Sequence, residues 1–319
     1  MRRHAVTAVA FAAVVLPGGA AAYSWPLKPF DRAHPIRGAF GDPRYHLDAE
    51  GALSAFHFGV DIAAADGTRV YAVEPGYVHA RPADVSVQSR SGRLFGYWHI
   101  RPVVRTGQHV RRHQLLGYVG RGWGHVHFAE SFHGAYKDPL RPGALTPFFD
   151  RVPPTIDSVG LLGPEGAPVD PGHVTGVVDA VASIWDVPPL APPAPWQAAR
   201  LTPTAIWWVL NGPDDYSQSE LVVDFSVGLP PNSLYGWIYG PGTYQNKAFR
   251  PGHYVFWLLH GLDTTGLPDG RYQLTVYAEN TRRRIGRTTF TFETANGVTT
   301  APAQPGQEPA NVRSRRVRT

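Results

Sequence analysis

The chain has 319 residues, a length that suits two domains with terminal extensions better than a single core. A hydrophobic content of 43% excludes a disordered protein, and the absence of cysteine excludes disulfides, a thiol nucleophile and any cysteine-ligated zinc site. The net charge of +5 comes largely from four arginines within residues 313–318, so a nucleic-acid-binding surface is not expected elsewhere in the chain.

Residues 1–22 have the composition of a secretory signal peptide. Arg2 and Arg3 precede an apolar run at residues 5–16, and the small residues 20–22 offer a cleavage site. An uncleaved membrane anchor is the alternative, although the run is short for a spanning helix, which needs about 20 apolar residues. We therefore predict export, with a mature chain that begins near Tyr23 and is secreted or associated with the cell envelope.

Residues 23–150 are predicted to form one small antiparallel β domain. Short apolar or alternating segments are separated by turns that contain Gly or Pro, and none shows a sustained helical period. These segments are residues 59–62, 69–73, 76–80, 85–87, 114–119 and 125–130. Ten of the 14 histidines lie between His34 and His133, which places the expected chemistry in this unit. Histidine and carboxylate are the metal ligands that a cysteine-free chain can offer.

A histidine and an aspartate four residues apart, His57 and Asp61, form the first candidate site. Phe58, Gly59 and Val60 lie between them and disfavour a helix. On an extended strand the two side chains would lie about 13 Å apart, at roughly 3.3 Å per residue, too far for ligands of one metal ion. We therefore predict a backbone bend at Gly59 that brings them together.

Two further segments supply histidines. His125 and His127 are two residues apart on a predicted strand, so both face one side while Val126 and Phe128 face the core. About 7 Å separates the two positions, so one histidine can bind a metal while the other lines the same cavity. His99 follows an aromatic pair and means little by itself, because a buried structural histidine is the ordinary interpretation of one such residue.

Residues 151–296 are predicted to form a second β domain, after a linker that ends in Pro153 and Pro154. Short strand candidates between turns suggest an antiparallel β-sandwich. They are residues 156–162, 174–185, 205–210, 221–226, 235–239, 253–259, 272–279 and 288–293. Trp207 and Trp208 adjoin on one strand, so one ring should face the core and the other outward.

The chain ends in a segment without apolar periodicity, residues 297–319. We predict that it is a disordered basic tail, which could contact an anionic wall or membrane surface.

Together, the three histidine segments resemble the lysostaphin and LytM-type zinc endopeptidases of peptidoglycan, over roughly residues 35–150. That family carries H-x-x-x-D, a Y-x-H-L-like segment and H-x-H-F in this order, which correspond here to residues 57–61, 97–100 and 125–128. Residues 39–44 resemble the family's F-G-x-R segment, and residues 107–117 resemble its G-Q-x-V-x-x-G-Q-x-I-G segment. The second unit resembles the Ig-like β-sandwiches appended to exported bacterial enzymes, which act as spacers or wall binders.

The resemblance implies an all-β metallopeptidase domain that binds Zn²⁺ through His57, Asp61 and His127. It implies His99 and His125 as a catalytic pair that does not bind the metal, and either could act as general base. Two histidines and one carboxylate leave a fourth tetrahedral position for water, whose pKa zinc lowers towards about 7. The implied substrate is a peptidoglycan peptide, cut in its stem or cross-bridge. Neither the bond nor the oligomeric state is readable from the sequence.

Other functions stay open at this point. The chain could be a non-catalytic wall-binding protein or an activator of another hydrolase, although relatives of that kind typically lose ligands and all three are present here. It could also be an adhesin-like protein that binds wall through residues 155–296. In addition, residues 23–48 could cover the groove and offer an inhibitory ligand to the metal.

Overall fold

The computed structural model describes residues 22–48 and 51–297, so nearly all of the predicted signal peptide and of the predicted basic tail lies outside the described residues. Regular structure in the described part is almost entirely antiparallel β-strand, which confirms the predicted all-β class. No helix in these ranges is long and apolar enough to cross a membrane.

Within the described residues, thirteen strands form the N-terminal unit, the name used below for residues 22–150. They are β1 Ile36–Gly38, β2 Pro43–Asp48, β3 Gly51–Phe56, β4 Val60–Ala63, β5 Arg69–Tyr71, β6 Gly76–Arg81, β7 Asp84–Ser89, β8 Arg93–Trp98, β9 Ile100–Pro102, β10 His109–Val110, β11 Leu115–Val119, β12 His125–Phe132 and β13 Ala135–Lys137. One sheet has the order β1-β4-β12-β8-β7-β6-β10, with β13 paired to β12. A second sheet has the order β5-β11-β9, and β2 pairs with β3 as a hairpin.

The strand β12 shows how the sequence divides the large sheet into two faces. Val126 and Phe128 are buried in the core, as predicted, while His125 and His127 lie on the opposite face, where they line a cavity. The register pairs His127 directly with Asp61 of β4. We call this side of the sheet the histidine face.

The segment before β1 packs into the core and does not cover the histidine face. Tyr23, Trp25 and Leu27 are each at most 2% exposed. The Tyr23 hydroxyl donates a hydrogen bond to Glu130 Oε2 over 2.6 Å. The idea that this segment shields the groove is therefore wrong for residues 23–27, because their large side chains are buried beneath the sheet.

Seven strands form the C-terminal unit, the name used below for the described residues 151–297. They are β14 Thr155–Leu162, β15 Val177–Trp185, β16 Ala205–Asn211, β17 Ser217–Asp224, β18 Val255–Asp263, β19 Gly270–Glu279 and β20 Ile285–Thr294. The sheets β14-β15-β18 and β17-β16-β19-β20 share one core, which includes Trp208 and Phe256. Trp207 is partly exposed and stacks on Tyr277, so the predicted division of the tryptophan pair is confirmed. The β-sandwich is present, whereas its Ig-like type and the unit boundaries stay predictions.

One predicted strand, residues 235–239, is instead the short helix α1 Tyr235–Ile238. Tyr235 and Ile238 are buried while Trp237 is 60% exposed, a spacing of three that fits a helical turn. The Tyr239 N–H donates to Tyr235 O over 2.8 Å, so the backbone closes one helical turn, and only Tyr239 at its end forms an isolated antiparallel bridge, with Phe256 of β18. The prediction was wrong for residues 235–238, because a single helical turn buries Tyr235 and Ile238 there.

The two units share a packed interface. Phe40 and Phe56 of the N-terminal unit lie in the core cluster of the sandwich, and the rings of Phe56 and Phe225 are 5.8 Å apart. Asp42 fixes the same interface, because its carboxylate accepts a hydrogen bond from Thr202 N over 2.8 Å. The C-terminal unit is thus not a free spacer; it is attached to the strands beside the histidine face.

Candidate metal centre

Three candidate ligands come together where the chain turns from β3 into β4. His57 lies in the short connection, Asp61 is on β4, and His127 is opposite it on β12. The predicted bend at Gly59 is confirmed. A Cβ atom on Gly59 would lie 2.4 Å from Phe128 O, so glycine is needed because β12 passes so close to the bend.

The ligand atoms form a compact triangle. His57 Nε2 lies 2.7 Å from His127 Nδ1, and each of these nitrogens lies 3.2 Å from Asp61 Oδ1. Ligand atoms at ~2.0–2.1 Å from a tetrahedral zinc ion lie roughly 3.3 Å from one another. The triangle therefore needs little rearrangement to hold one ion, and all three residues are at most 9% exposed.

Hydrogen bonding around His57 leaves its Nε2 available to a metal. Its Nδ1 lies 2.7 Å from Ala39 O, a contact in which the nitrogen must carry the proton. The neutral ring then has a lone pair at Nε2, which faces His127 Nδ1 and the Asp61 carboxylate. His127 Nε2 is buried and has no hydrogen-bond partner among the described residues, and with the proton on that nitrogen the ring directs the lone pair of Nδ1 to the same point as His57 Nε2 and Asp61 Oδ1. The residues present therefore fit a metal ion.

Outer contacts fix the second oxygen of the ligand carboxylate. Arg44 Nη2 donates to Asp61 Oδ2 over 2.9 Å, and Arg44 Nη1 lies 3.6 Å from Asp42. A Cβ atom on Gly38 would lie 2.5 Å from Arg44 Nη2 and 2.7 Å from Asp61 Oδ2, so the glycine makes room for this ion pair. Contacts of this kind orient metal ligands and tune their affinity.

Burial and neighbouring charges set the protonation states that a metal requires. Burial is the main cause that lowers the pKa of His57 to about 3, and the Arg44 charge lowers it further. Burial also lowers the pKa of His127. For Asp61, burial raises the pKa, but His57, His125 and Arg44 outweigh it and hold the pKa well below its usual range. At neutral pH the site thus offers two neutral imidazoles and one carboxylate, the forms that bind cations.

His125 lies beside the triangle. Its Nε2 is 3.4 Å from Asp61 Oδ1, and its Nδ1 is 2.7 Å from Trp123 O. The Arg37 guanidinium contacts the same Nδ1. One nitrogen cannot donate to a carbonyl and accept from a guanidinium in the same tautomer, so these two partners suit two different proton positions on the ring.

His99 lines the same cavity from the turn between β8 and β9. Its backbone φ is 65°, and its ring stacks on Trp123 with the centroids 3.6 Å apart and lies 4.6 Å from the His125 ring. A left-handed conformation is uncommon outside glycine and marks a residue held in place by its surroundings. Burial, followed by the nearby His125, lowers the pKa of His99 to about 3, so the ring is neutral at neutral pH.

A glycine-containing loop, residues 120–124, places the ring of Trp123 against the ring of His99. Asp66 holds this loop, because its carboxylate accepts hydrogen bonds from Gly122 N over 2.6 Å and from Gly124 N over 3.0 Å. Both glycines have positive φ, 85° and 60°, so the turn depends on their freedom in this region. The loop forms one wall of the cavity.

The histidine face is the floor of a cavity of about 790 Å³ whose walls come from both units. Trp98 and Tyr136 of the N-terminal unit line it, and so do Trp196 and Asn246 of the C-terminal unit. A cavity of this size, lined by aromatic rings and a few polar groups, suits a peptide of several residues.

All five residues singled out from the sequence line this one cavity: His57, Asp61, His99, His125 and His127. Sequence reasoning missed other lining residues, among them Arg37, Trp123, Trp196 and Asn246. The position of Arg37 beside the F-G-x-R-like segment was the one available signal. For Trp196 and Asn246 the sequence offered no signal, because only the interface between the two units brings them to the site.

Residues 55–139 match the sequence model of the family described as Peptidase family M23. The matched range contains all five residues above and covers about a quarter of the chain. No curated protein matches the chain.

Solved structures that are similar to parts of this chain include a zinc-containing peptidase from Vibrio cholerae, with 25% identity over 37% of this chain and 39% of that chain and a TM-score of 0.30. The catalytic domain of a prophage-encoded M23 protein from Enterococcus faecalis is 26% identical over 32% of this chain and 85% of that chain, with a TM-score of 0.25. The pore-forming SpoIIQ–SpoIIIAH complex contains a chain with 19% identity over 40% of this chain and 93% of that chain, with a TM-score of 0.32. This chain spans about two fifths of the length of the Vibrio peptidase.

Proposed function

We propose that this chain, whose residues 55–139 carry a domain of peptidase family M23, is an exported zinc metalloendopeptidase that hydrolyses peptide bonds in peptidoglycan stems or cross-bridges. The observation that carries the proposal is the triangle of His57 Nε2, His127 Nδ1 and Asp61 Oδ1, with sides of 2.7–3.2 Å, on the floor of a cavity that His99 and His125 also line. Export is proposed from the composition of residues 1–22, and the substrate is proposed from the family match.

The chemistry divides between the metal and the chain. His57, Asp61 and His127 would hold Zn²⁺, which when bound lowers the pKa of water and polarises an amide carbonyl. One of the two imidazoles, that of His99 or that of His125, would accept the proton of the attacking water. The other donates a hydrogen bond to the carbonyl oxygen as negative charge develops on it.

The shape of the cavity supports a polymeric peptide as the substrate. Its walls come from two units, and the aromatic rings of Trp98, Trp123 and Trp196 line it beside the catalytic floor. A cleft lined in this way can hold residues on both sides of a scissile bond, as an endopeptidase requires.

Zinc content and wall hydrolysis by the purified mature protein test the proposal. We expect stoichiometric zinc and the release of soluble peptides from isolated peptidoglycan, identified by mass spectrometry. His127→Ala should lose both zinc and hydrolysis, whereas His109→Ala, an exposed histidine on the edge strand β10, should keep both. Stoichiometric zinc without cleavage of any wall type would refute the proposed activity.

A second candidate function is a non-catalytic wall-binding protein or an activator of another wall hydrolase. Trp237 favours it, because this residue of the C-terminal unit is 60% exposed and stacks on His260 with the ring centroids 3.8 Å apart, as a sugar-binding platform would. His127→Ala separates the candidates. A variant that keeps the full biological effect of the wild type without hydrolysis would support the second.

A further inference from the structure

Arg37 lies on the histidine face beside the ligand carboxylate. On β1, Ile36 is buried in the core, so the side chain of Arg37 is on the opposite face, where it lines the cavity. β1 pairs with β4, with Gly38 opposite Asp61. Arg37 therefore belongs to the floor of the cavity, next to the strand that carries a metal ligand.

Arg37 differs from Arg44, the other arginine of this cavity, in its lack of a carboxylate partner. Arg44 is paired with both Asp61 and Asp42. Among the described residues, no Asp or Glu oxygen lies within 4.0 Å of the Arg37 guanidinium. The guanidinium instead lies over the Trp196 ring, 4.1 Å from its centroid, and contacts His125. The floor thus presents a positive charge that no side chain neutralises directly.

The C-terminal unit holds Arg37 in place through two contacts. Trp196 stacks on its guanidinium, and Asn246 Nδ2 donates to Arg37 O over 3.2 Å. Asn246 is itself fixed, because its Oδ1 accepts hydrogen bonds from Arg200 N over 2.9 Å and from Gly252 N over 2.7 Å. An arginine held by its backbone and by its stacked face loses little freedom when its edge binds an anion.

We propose that Arg37 and Trp196 form a carboxylate-binding subsite, which selects wall peptides with a free carboxylate next to the scissile amide. This inference rests on the proposed peptidase function and names its substrate class. One imidazole ring, that of His125, separates Arg37 from the ligand oxygen of Asp61. Because one residue of an extended peptide spans roughly 3.3 Å, a carboxylate bound by Arg37 belongs to a residue close to the cleaved bond.

The chemistry of the guanidinium favours a carboxylate over a neutral amide. Its planar fork offers two parallel N–H donors that match the two oxygens of a carboxylate, and its charge is permanent. The stacked Trp196 covers one face and leaves the edge of the group to the ligand. An amidated carboxyl has no charge and one oxygen, so it should bind roughly tenfold to hundredfold more weakly.

Steady-state kinetics on one matched pair of substrates test the subsite. The substrates are a cross-linked wall peptide that the enzyme cleaves and the same peptide after conversion of its free carboxyl groups to amides. The full-length zinc-loaded protein is compared with Arg37→Gln and with Arg250→Gln. The second variant is the matched control, because Arg250 also stacks on an aromatic ring, that of Tyr244, with 3.9 Å to the ring centroid, but does not line the cavity.

For the wild type we expect a KM roughly tenfold to hundredfold lower for the carboxylate peptide than for the amide. Arg37→Gln should lose this preference through a rise in the KM of the carboxylate peptide to that of the amide, and Arg250→Gln should keep it. A wild type without preference, or an Arg37→Gln variant that loses kcat on both peptides alike, would overturn the proposal, because Arg37 would then only support His125 or the fold. If Arg37→Gln does not fold, Arg37→Lys, which keeps the charge without the fork, should show a reduced preference.

Calorimetry separates this proposal from the proposed activity. The same two peptides are titrated into the full-length zinc-loaded protein, and the dissociation constants are compared without reference to cleavage. If nothing is cleaved but the carboxylate form binds more tightly through Arg37, the peptidase function fails and the subsite stands. If both forms are cleaved and bind equally, the subsite fails and the peptidase function stands.

Discussion

Replacement of Gly59 by alanine tests whether the close approach of β12 to the bend sets the metal geometry. The added Cβ would lie 2.4 Å from the backbone oxygen of Phe128 and 2.9 Å from Nε2 of His127. The first of these neighbours is backbone and cannot rotate away. The bend must therefore move relative to β12, and the ligands His57 and Asp61 move with it.

The size of the effect follows from these distances. An ordinary van der Waals contact begins at 3.4 Å, so the bend and β12 must separate by about 1 Å at this point. Overpacking of this kind costs about 1–3 kcal/mol of unfolding free energy. The displacement moves His57 and Asp61 away from His127. We therefore expect the zinc affinity to fall by about 10–100-fold, the same range as for the loss of a hydrogen bond that orients a metal ligand.

Chelator competition for zinc affinity and thermal unfolding with and without zinc measure these effects. Gly160→Ala is the matched control, since a Cβ there meets no atom within 4 Å and the residue is also in a strand environment, on β14. Its zinc affinity should equal that of the wild type. If Gly59→Ala binds zinc and unfolds as the wild type does, the close approach does not determine the site and the reasoning is refuted.

Three further substitutions test other contacts. Arg44→Gln removes the partner of the ligand carboxylate, so the zinc affinity measured by chelator competition should fall about 10–100-fold. Arg283→Gln, a control on the surface, should leave the zinc affinity unchanged. Equal zinc affinities in the two variants would contradict this role of Arg44. Asp66→Ala releases the glycine loop, so KM for wall peptides should rise at constant zinc content, and an unchanged KM would show that the loop does not depend on this carboxylate. Burial, followed by the charge of Asp150, raises the pKa of Asp186 from 3.8 to about 8. A carboxyl with a raised pKa in the folded state stabilises the protein below its unfolded pKa, and this stability is lost as the pH rises through the folded pKa. Asp186→Asn should therefore reduce the decline in Tm between pH 4 and pH 8, and parallel declines in the two proteins would count against the buried carboxyl.

The floor of the site could be predicted because its pattern is local. Alternation on β12 places His125 and His127 on one face, and the four-residue spacing of His57 and Asp61 requires a bend that Gly59 provides. These inferences need only the geometry of a strand and the length of a metal–ligand bond. The roles of His99 and His125 in catalysis stay predictions.

The walls of the cavity could not be predicted, because they depend on contacts between distant parts of the chain. Asn246 and Arg37 are 209 residues apart, and neither belongs to a recognisable motif. The incorrect prediction of a strand at residues 235–239 also has its cause in a contact with a distant part of the chain. Tyr235 is buried against Phe56 of the other unit, with the rings 5.5 Å apart, and a single-segment pattern contains no information about such a partner.

The packing of Phe56 against the sandwich has a consequence for the order in which the protein matures. A chain is synthesised from its N-terminus, so His57, Asp61 and His127 are all present before Phe225, which covers Phe56, has been made. The hydrogen-bond donor of Asp42, Thr202 N, is likewise made 160 residues after it. The metal ligands and the N-terminal walls are thus made first, and the walls that Trp196 and Asn246 supply are made last, so the binding cleft is completed only after all the ligands are present.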